Sequence, residues 1–100
     1  MIQFSDETRA KIAELCKKNK VRELSLFGSR ARGDNRPDSD YDLLVVFDPN
    51  ARISLFDFAR TQVELEDLIG LKVDLVEKEG LKPIIRDSVL AEAEVIYENR

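Results

Sequence analysis

The most hydrophobic run in the sequence, residues 43–47, constrains the fold more than any other stretch. All of its residues are apolar, and its valines and phenylalanine favour extended backbone. An apolar run of this length, followed by the turn-forming residues Asp48, Pro49 and Asn50, is typical of a strand buried on both faces. The sequence therefore predicts a sheet with helices packed against it.

Asp40 and Asp42 stand at the start of this predicted strand. Alternate side chains of a strand share a face, so the two carboxylates are expected to point the same way, with Tyr41 opposite. Two like charges this close are unfavourable unless a cation lies nearby, and carboxylate oxygens suit Mg²⁺ or Mn²⁺. Asp74, in a strand-like segment at 72–77, would add a third carboxylate if the two strands are neighbours. Each aspartate alone is more typical of an exposed residue or a cap, and only the combination indicates a metal site.

A glycine turn precedes these carboxylates in the sequence. The predicted strand Val21–Phe27 leads into Gly28, where the missing side chain permits a sharp turn and the close approach of a ligand. Ser29 is expected to cap a short helix that begins at Arg30, and the free N–H groups of a helix N-terminus favour a phosphate. Arg30 and Arg32 are either solvated or salt-bridged surface side chains, or one of them helps to neutralise the charge of a triphosphate.

Capping signals and apolar periodicity predict further helices and strands. The helices are expected at residues 5–18, at 54–69 with Gly70 as the C-terminal cap, and from Pro83 onward, and the strands at 72–77 and 93–97. Phe56 is expected to widen the core contact of the second of these helices, with a partner-binding patch as the alternative. Ile84 and Ile85 are expected to belong to the apolar side of the last helix. This order of elements indicates an α/β (α+β) fold with one mixed sheet of about four strands flanked by helices.

The composition limits the possible classes of function. One hundred residues suffice for a single small domain, 1–100, without a separate substrate-binding domain. A net charge of −4 argues against a surface that binds nucleic acid directly. The one cysteine, Cys16, is predicted to be a buried structural thiol, and the lack of histidine excludes histidine-based zinc sites and Ser-His catalysis. Since neither a membrane-spanning run nor a signal-peptide pattern is found, a cytoplasmic protein is expected.

Together these motifs resemble the nucleotidyltransferase superfamily of the DNA polymerase β type. Gly28-Ser29, ten further residues, Asp40-x-Asp42 before an apolar strand and a later strand with a third aspartate occur in the order typical of that superfamily. The segments Gly-Ser-Arg-Ala-Arg-Gly at 28–33 and Ser-Asp-Tyr-Asp-Leu-Leu-Val at 39–45 are similar to the minimal nucleotidyltransferases, the MNT proteins. The resemblance implies their fold, in which the Gly-Ser helix joins the first two strands and the three aspartates meet at one edge of the sheet.

The resemblance also implies an activity. The residues implied to bind the nucleotide are Gly28, Ser29 and Arg30, and those implied to bind two Mg²⁺ ions and to catalyse transfer from ATP are Asp40, Asp42 and Asp74. MNT antitoxins transfer AMP to a tyrosine hydroxyl of a partner HEPN-domain toxin, so the resemblance implies a HEPN protein as the partner. Two alternatives stay open. One is an antitoxin that neutralises its partner by complex formation alone, and the other is a scaffold domain without affinity for nucleotides.

Overall fold

A computed structural model describes residues 4–99 of the chain. Helices and strands alternate within this range, and a 3₁₀ turn, Lys78–Gly80, follows the third strand. The helices are α1 (Asp6–Lys18), α2 (Ser29–Arg32), α3 (Leu55–Ile69) and α4 (Pro83–Glu92), and the strands are β1 (Val21–Phe27), β2 (Tyr41–Phe47), β3 (Val73–Glu77) and β4 (Glu94–Glu98). None of the helices within residues 4–99 combines the length and apolar character needed to cross a bilayer.

The strands form one mixed sheet in the order β3-β2-β1-β4. β1 pairs with β2 and with β4 in antiparallel orientation, whereas β2 and β3 are parallel. Strand β2 thus has a neighbour on each side, and its residues Leu43, Leu44 and Val45 are almost completely buried. The prediction of a mixed sheet of about four strands flanked by helices is confirmed. Burial of the run 43–47 is confirmed for Leu43, Leu44 and Val45, whereas Val46 and Phe47 are only partly buried.

Successive residues of β2 contribute to two hydrophobic cores on opposite faces of the sheet. Leu43 and Val45 belong to the larger core, which includes residues of α1 and α3. Leu44 belongs to the smaller core, where it packs with Leu81 and with Val89 of α4. Because Asp42 lies two residues before Leu44, its side chain is on the α4 face. The alternation therefore places Asp42, a residue of the predicted site, on the face of the sheet that α4 covers.

Several local predictions are confirmed by the caps and by the buried cysteine. Ser5 is the N-cap of α1, where its side chain accepts a hydrogen bond from the Thr8 N–H, and Gly70 ends α3 in the left-handed conformation with φ of 85°. Cys16 is fully buried in the larger core, and desolvation raises the pKa of its thiol to about 12. A thiol with so high a pKa is a weak nucleophile, consistent with a structural role.

The predicted apolar sides of two helices were partly wrong. Ile84, in the first turn of α4, is 90% exposed, and Ile85 is exposed as well, because Leu81, just before the helix, fills the smaller core instead. Phe56, in the first turn of α3, is 84% exposed, so it does not widen the core contact of that helix. Both errors concern first turns, where apolar periodicity continues beyond the part of the helix that packs on the sheet.

We expect Ser54→Ala to lower the free energy of unfolding by about 1 kcal/mol. Ser54 and Asp57 form a reciprocal capping box at the start of α3: the Ser54 Oγ accepts from the Asp57 N–H at 3.1 Å, and the Asp57 Oδ2 accepts from the Ser54 N–H at 2.9 Å. Urea unfolding at pH 7 measures the change. Ser88→Ala is the control, since the exposed Ser88 hydroxyl donates only within α4, and equal losses for the two variants would contradict the assignment.

Candidate active site

The site begins at the turn between β1 and α2. Gly28 has φ of 77° and ψ of −156°, a combination that is adopted almost only by glycine. Its carbonyl oxygen accepts hydrogen bonds from the Ala31 and Arg32 N–H groups, each at 3.1 Å, so α2 begins at Ser29. The prediction that Ser29 caps a helix starting at Arg30 was wrong by one residue. Gly28 holds the cap position because its positive φ makes the turn there, and as a glycine it contributes no side-chain cap.

The Gly28 turn lies directly against the Asp42 carboxylate. Asp42 is the partner of Phe27 in the antiparallel ladder, one residue before the turn. A Cβ added at position 28 would overlap the Asp42 Oδ2 atom and would lie 3.0 Å from Cγ. The missing side chain at Gly28 therefore makes room for a carboxylate of the site itself.

The three aspartates lie at the same end of the sheet. Asp42 and Asp74 are partners in the parallel pairing of β2 and β3, and Asp40 immediately precedes Tyr41, the first residue of β2. Burial raises the pKa of the Asp42 carboxyl, and the nearby charges of Asp74 and Asp40 raise it further, whereas Arg32 lowers it. The condition for Asp74 to join the other two, that β2 and β3 are neighbours, is met by the register.

These carboxylates have the donor chemistry of a Mg²⁺ site. Their oxygens are hard ligands, and the mutual repulsion that raises the pKa of Asp42 is what a divalent cation would relieve. Within residues 4–99, no three acidic or cysteine side chains are already arranged as a metal-binding group. The residues present fit a divalent cation by the chemistry of their oxygens, and the strand register places Asp42 beside Asp74. The ligand set Asp40, Asp42 and Asp74 stays a prediction.

Arg30 lies on the opposite face of β2 from Asp42. Its guanidinium carbon is 4.2 Å from the centroid of the Tyr41 ring, and Tyr41 packs against the larger core. Nε and Nη2 of Arg30 donate to the Ser39 carbonyl at 3.0 and 2.8 Å, and Nη2 also donates to the Pro37 carbonyl. These contacts position the 34–40 loop that leads to the aspartates. The nucleotide-binding role of Arg30 stays a prediction.

Arg32 lies near the carboxylates and contacts a residue that the sequence analysis missed. Its Nη1 donates to Glu92 Oε2 at 3.0 Å, and its Nε donates to Asp34 Oδ2 at 3.1 Å. The other oxygen of Glu92 accepts from the Gly28 N–H at 3.3 Å. Glu92 is the last residue of α4 and follows Arg32 by 60 positions. No local sequence signal links residues so far apart, so only the fold reveals this contact.

Comparison with known proteins identifies the family. The sequence profile of the family described as "Polymerase beta, Nucleotidyltransferase" matches residues 10–100, which is most of the chain. The chain belongs to the polymerase β nucleotidyltransferase family. The predicted resemblance to this family is thereby confirmed.

Individual relatives place this nucleotidyltransferase among the small members of the family. It is 45% identical over 84 residues to the protein adenylyltransferase MntA of Thermococcus cleftensis, covering 84% of this chain and 81% of that protein. It is also similar to the solved structure of a provisionally assigned minimal nucleotidyltransferase, with 42% identity, a TM-score of 0.73 and 88% of each chain covered. The nucleotidyltransferase is thus similar over most of its length to proteins of the MNT group.

A more distant structure shares the fold alone. This is a complex of a tri-AMPylated Shewanella oneidensis HEPN toxin with an MNT antitoxin, which matches with a TM-score of 0.65 at 19% identity. The match covers 93% of this chain and 71% of that one.

Proposed function

We propose that this nucleotidyltransferase transfers AMP from ATP to a tyrosine hydroxyl of a HEPN-type toxin and so acts as its antitoxin. The pairing of Asp42 with Asp74, next to a glycine turn that touches the Asp42 carboxylate, carries the proposal. The name of the Thermococcus relative, protein adenylyltransferase, supports AMP transfer to a protein. The complex of an AMPylated HEPN toxin with an MNT antitoxin supports the class of acceptor.

The turn would bind the phosphates of ATP. The Ser29 N–H and the Ser29 hydroxyl supply hydrogen-bond donors beside Gly28 at the end of β1, whereas the Gly28 N–H itself donates to Glu92. Of the two arginines, Arg32 is better placed than Arg30 to neutralise phosphate charge, because its charge already lowers the pKa of Asp42. Arg30 would act indirectly by holding the 34–40 loop through the Ser39 carbonyl.

The carboxylates would bind Mg²⁺, and one of them would accept the proton of the acceptor hydroxyl. Asp40, Asp42 and Asp74 would bind the metal, which supplies charge neutralisation at the reacting phosphate when bound. In the transfer, the acceptor oxygen forms a bond to the α-phosphorus, the bond from that phosphorus to the β-phosphate breaks, and pyrophosphate leaves. An oxygen of the exposed Asp74 would accept the proton of the acceptor hydroxyl. Most of the rate enhancement would come from positioning and charge neutralisation.

Transfer of label from ATP tests the proposal. The protein is incubated with Mg²⁺, a HEPN-domain protein and ATP labelled at the α-phosphate, and the HEPN-domain protein is then examined for label. We expect label on a tyrosine, release of pyrophosphate and no label from γ-labelled ATP, which separates AMP transfer from kinase activity. If the two proteins form a complex but no label is transferred, the chain is a binding antitoxin and the proposed activity is wrong.

A further inference from the structure

Glu92 contacts α2 at both of its ends. One oxygen of its carboxylate accepts from the Gly28 N–H, just before the helix, and the other pairs with Arg32, the last helical residue. Its side chain is only 24% exposed. A single carboxylate thus connects the C-terminal end of α4 to Gly28 and Arg32, the residues on either side of the segment that includes Ser29.

Helix α2 needs such support from outside. It comprises only four residues, and its N-cap, Gly28, has no side chain that could cap the first turn. A helix this short lacks the cooperative hydrogen bonding that stabilises longer helices, so its geometry depends on tertiary contacts. Ala31 is buried in the larger core, which fixes the middle of α2. The contacts of Glu92 fix the two positions that flank this anchor, Gly28 and Arg32.

Helix α4 is itself held in place by packing on the sheet, so it can fix the position of Glu92. Val89, one turn before Glu92, is buried with Leu44 in the smaller core on the face of the sheet where Asp42 lies. Movement of Glu92 is therefore restricted by the packing of α4 on the sheet. The carboxylate connects the turn to the same face that carries the Asp42 side chain.

We propose that Glu92 is a positioning residue that holds the Gly28–Ser29 backbone and the Arg32 side chain in the geometry that binds the β- and γ-phosphates of ATP. The proposal rests on the proposed function, since it assumes that this turn binds the triphosphate. Glu92 does not touch the substrate. It acts through the groups that do.

Simple electrostatics predicts the opposite effect of removing Glu92 on ATP binding, and this difference makes the proposal testable. Glu92 adds negative charge near Asp42, so its removal alone would favour the binding of an anionic nucleotide. If Glu92 positions the turn, its removal weakens ATP binding instead. The effect is confined to ligands that have the outer phosphates, because AMP lacks the groups that the turn would hold. The sign and the ligand dependence together separate positioning from charge and from general damage to the fold.

The experiment measures the binding of Mg²⁺-ATP by calorimetry, and that of AMP by competition, for Glu92→Ala and Glu92→Gln. We expect Glu92→Ala to weaken ATP binding about tenfold, the factor that corresponds to one lost hydrogen bond between charged groups. Glu92→Gln, which keeps one acceptor for the Gly28 N–H, recovers part of this loss. AMP binding and the thermal midpoint without ligand stay close to those of the native protein for the glutamine variant.

Glu79→Gln is the matched control. Glu79 is exposed in the 3₁₀ turn that follows the last residue of β3, whereas Asp74 lies near the start of that strand. The substitution removes the same charge away from the site. It is expected to leave ATP binding unchanged. Tighter or unchanged ATP binding in the Glu92 variants, or an equal loss for ATP and AMP, overturns the positioning role. If the native protein itself does not bind Mg²⁺-ATP, the proposed function is wrong, which is a separate result.

Discussion

Asp42→Asn is expected to abolish AMP transfer while making the protein without ligands more stable. Asparagine has almost the same shape but lacks the charge that would hold a cation, so the rate should fall at least about 100-fold. In the folded protein, burial and the charges of Asp74 and Asp40 raise the pKa of the Asp42 carboxyl. Ionised Asp42 therefore destabilises the fold at pH 7, and its replacement by a neutral side chain removes that cost. The label-transfer assay and thermal unfolding at pH 7 measure the two changes.

Asp38→Asn is the control for this prediction. Asp38 is an exposed residue in the loop before β2, and its replacement removes one negative charge near the site without touching the paired strands. We expect native rates of transfer and an unchanged thermal midpoint. If Asp42→Asn transfers AMP like the native protein, the assignment of the site is wrong. If its midpoint falls, repulsion among the carboxylates is not the dominant effect on stability.

The parts of the site that depend on neighbours in the sequence were predictable. A strand that ends at Gly28 and a second strand that follows Asp40 and Asp42 are signalled by apolar runs next to turn residues, which act over a few positions. The period of two along a strand also separates the faces of Tyr41 and Asp42. The pairing of Asp74 with Asp42 required one further assumption, that the two strands are adjacent, and the register bears it out.

The parts that depend on distant contacts were not predictable in this way. Arg30 and Arg32 are two residues apart in the same short segment, and the sequence gives no reason to separate them. In the fold, one is directed to Tyr41 and the other to Glu92, because β2 passes on one side of the turn and α4 ends on the other. The choice between them follows from which elements surround the turn, which is a tertiary property.

Gly28→Ala is expected to reduce AMP transfer about 100-fold or more and to destabilise the fold. Its φ and ψ lie in a region used almost only by glycine, which costs a residue with a Cβ on the order of 1–3 kcal/mol. The new Cβ would also overlap the Asp42 Oδ2 atom, so the carboxylate or the turn must move. Either shift displaces a group of the proposed site, and displacements of about 1 Å already reduce rates strongly. Transfer of label and urea unfolding report the two losses separately.

Gly70→Ala separates the effect of backbone strain from the effect of the overlap. Gly70 also has a positive φ, 85°, but a Cβ there has nothing within 4 Å. Alanine at this position at the end of α3 therefore costs stability, about 1 kcal/mol, through backbone strain alone. Its rate of AMP transfer should equal that of the native protein under conditions where both are folded. If Gly70→Ala loses as much transfer as Gly28→Ala, the loss reflects stability, and the contact between the turn and Asp42 has no special part in the reaction.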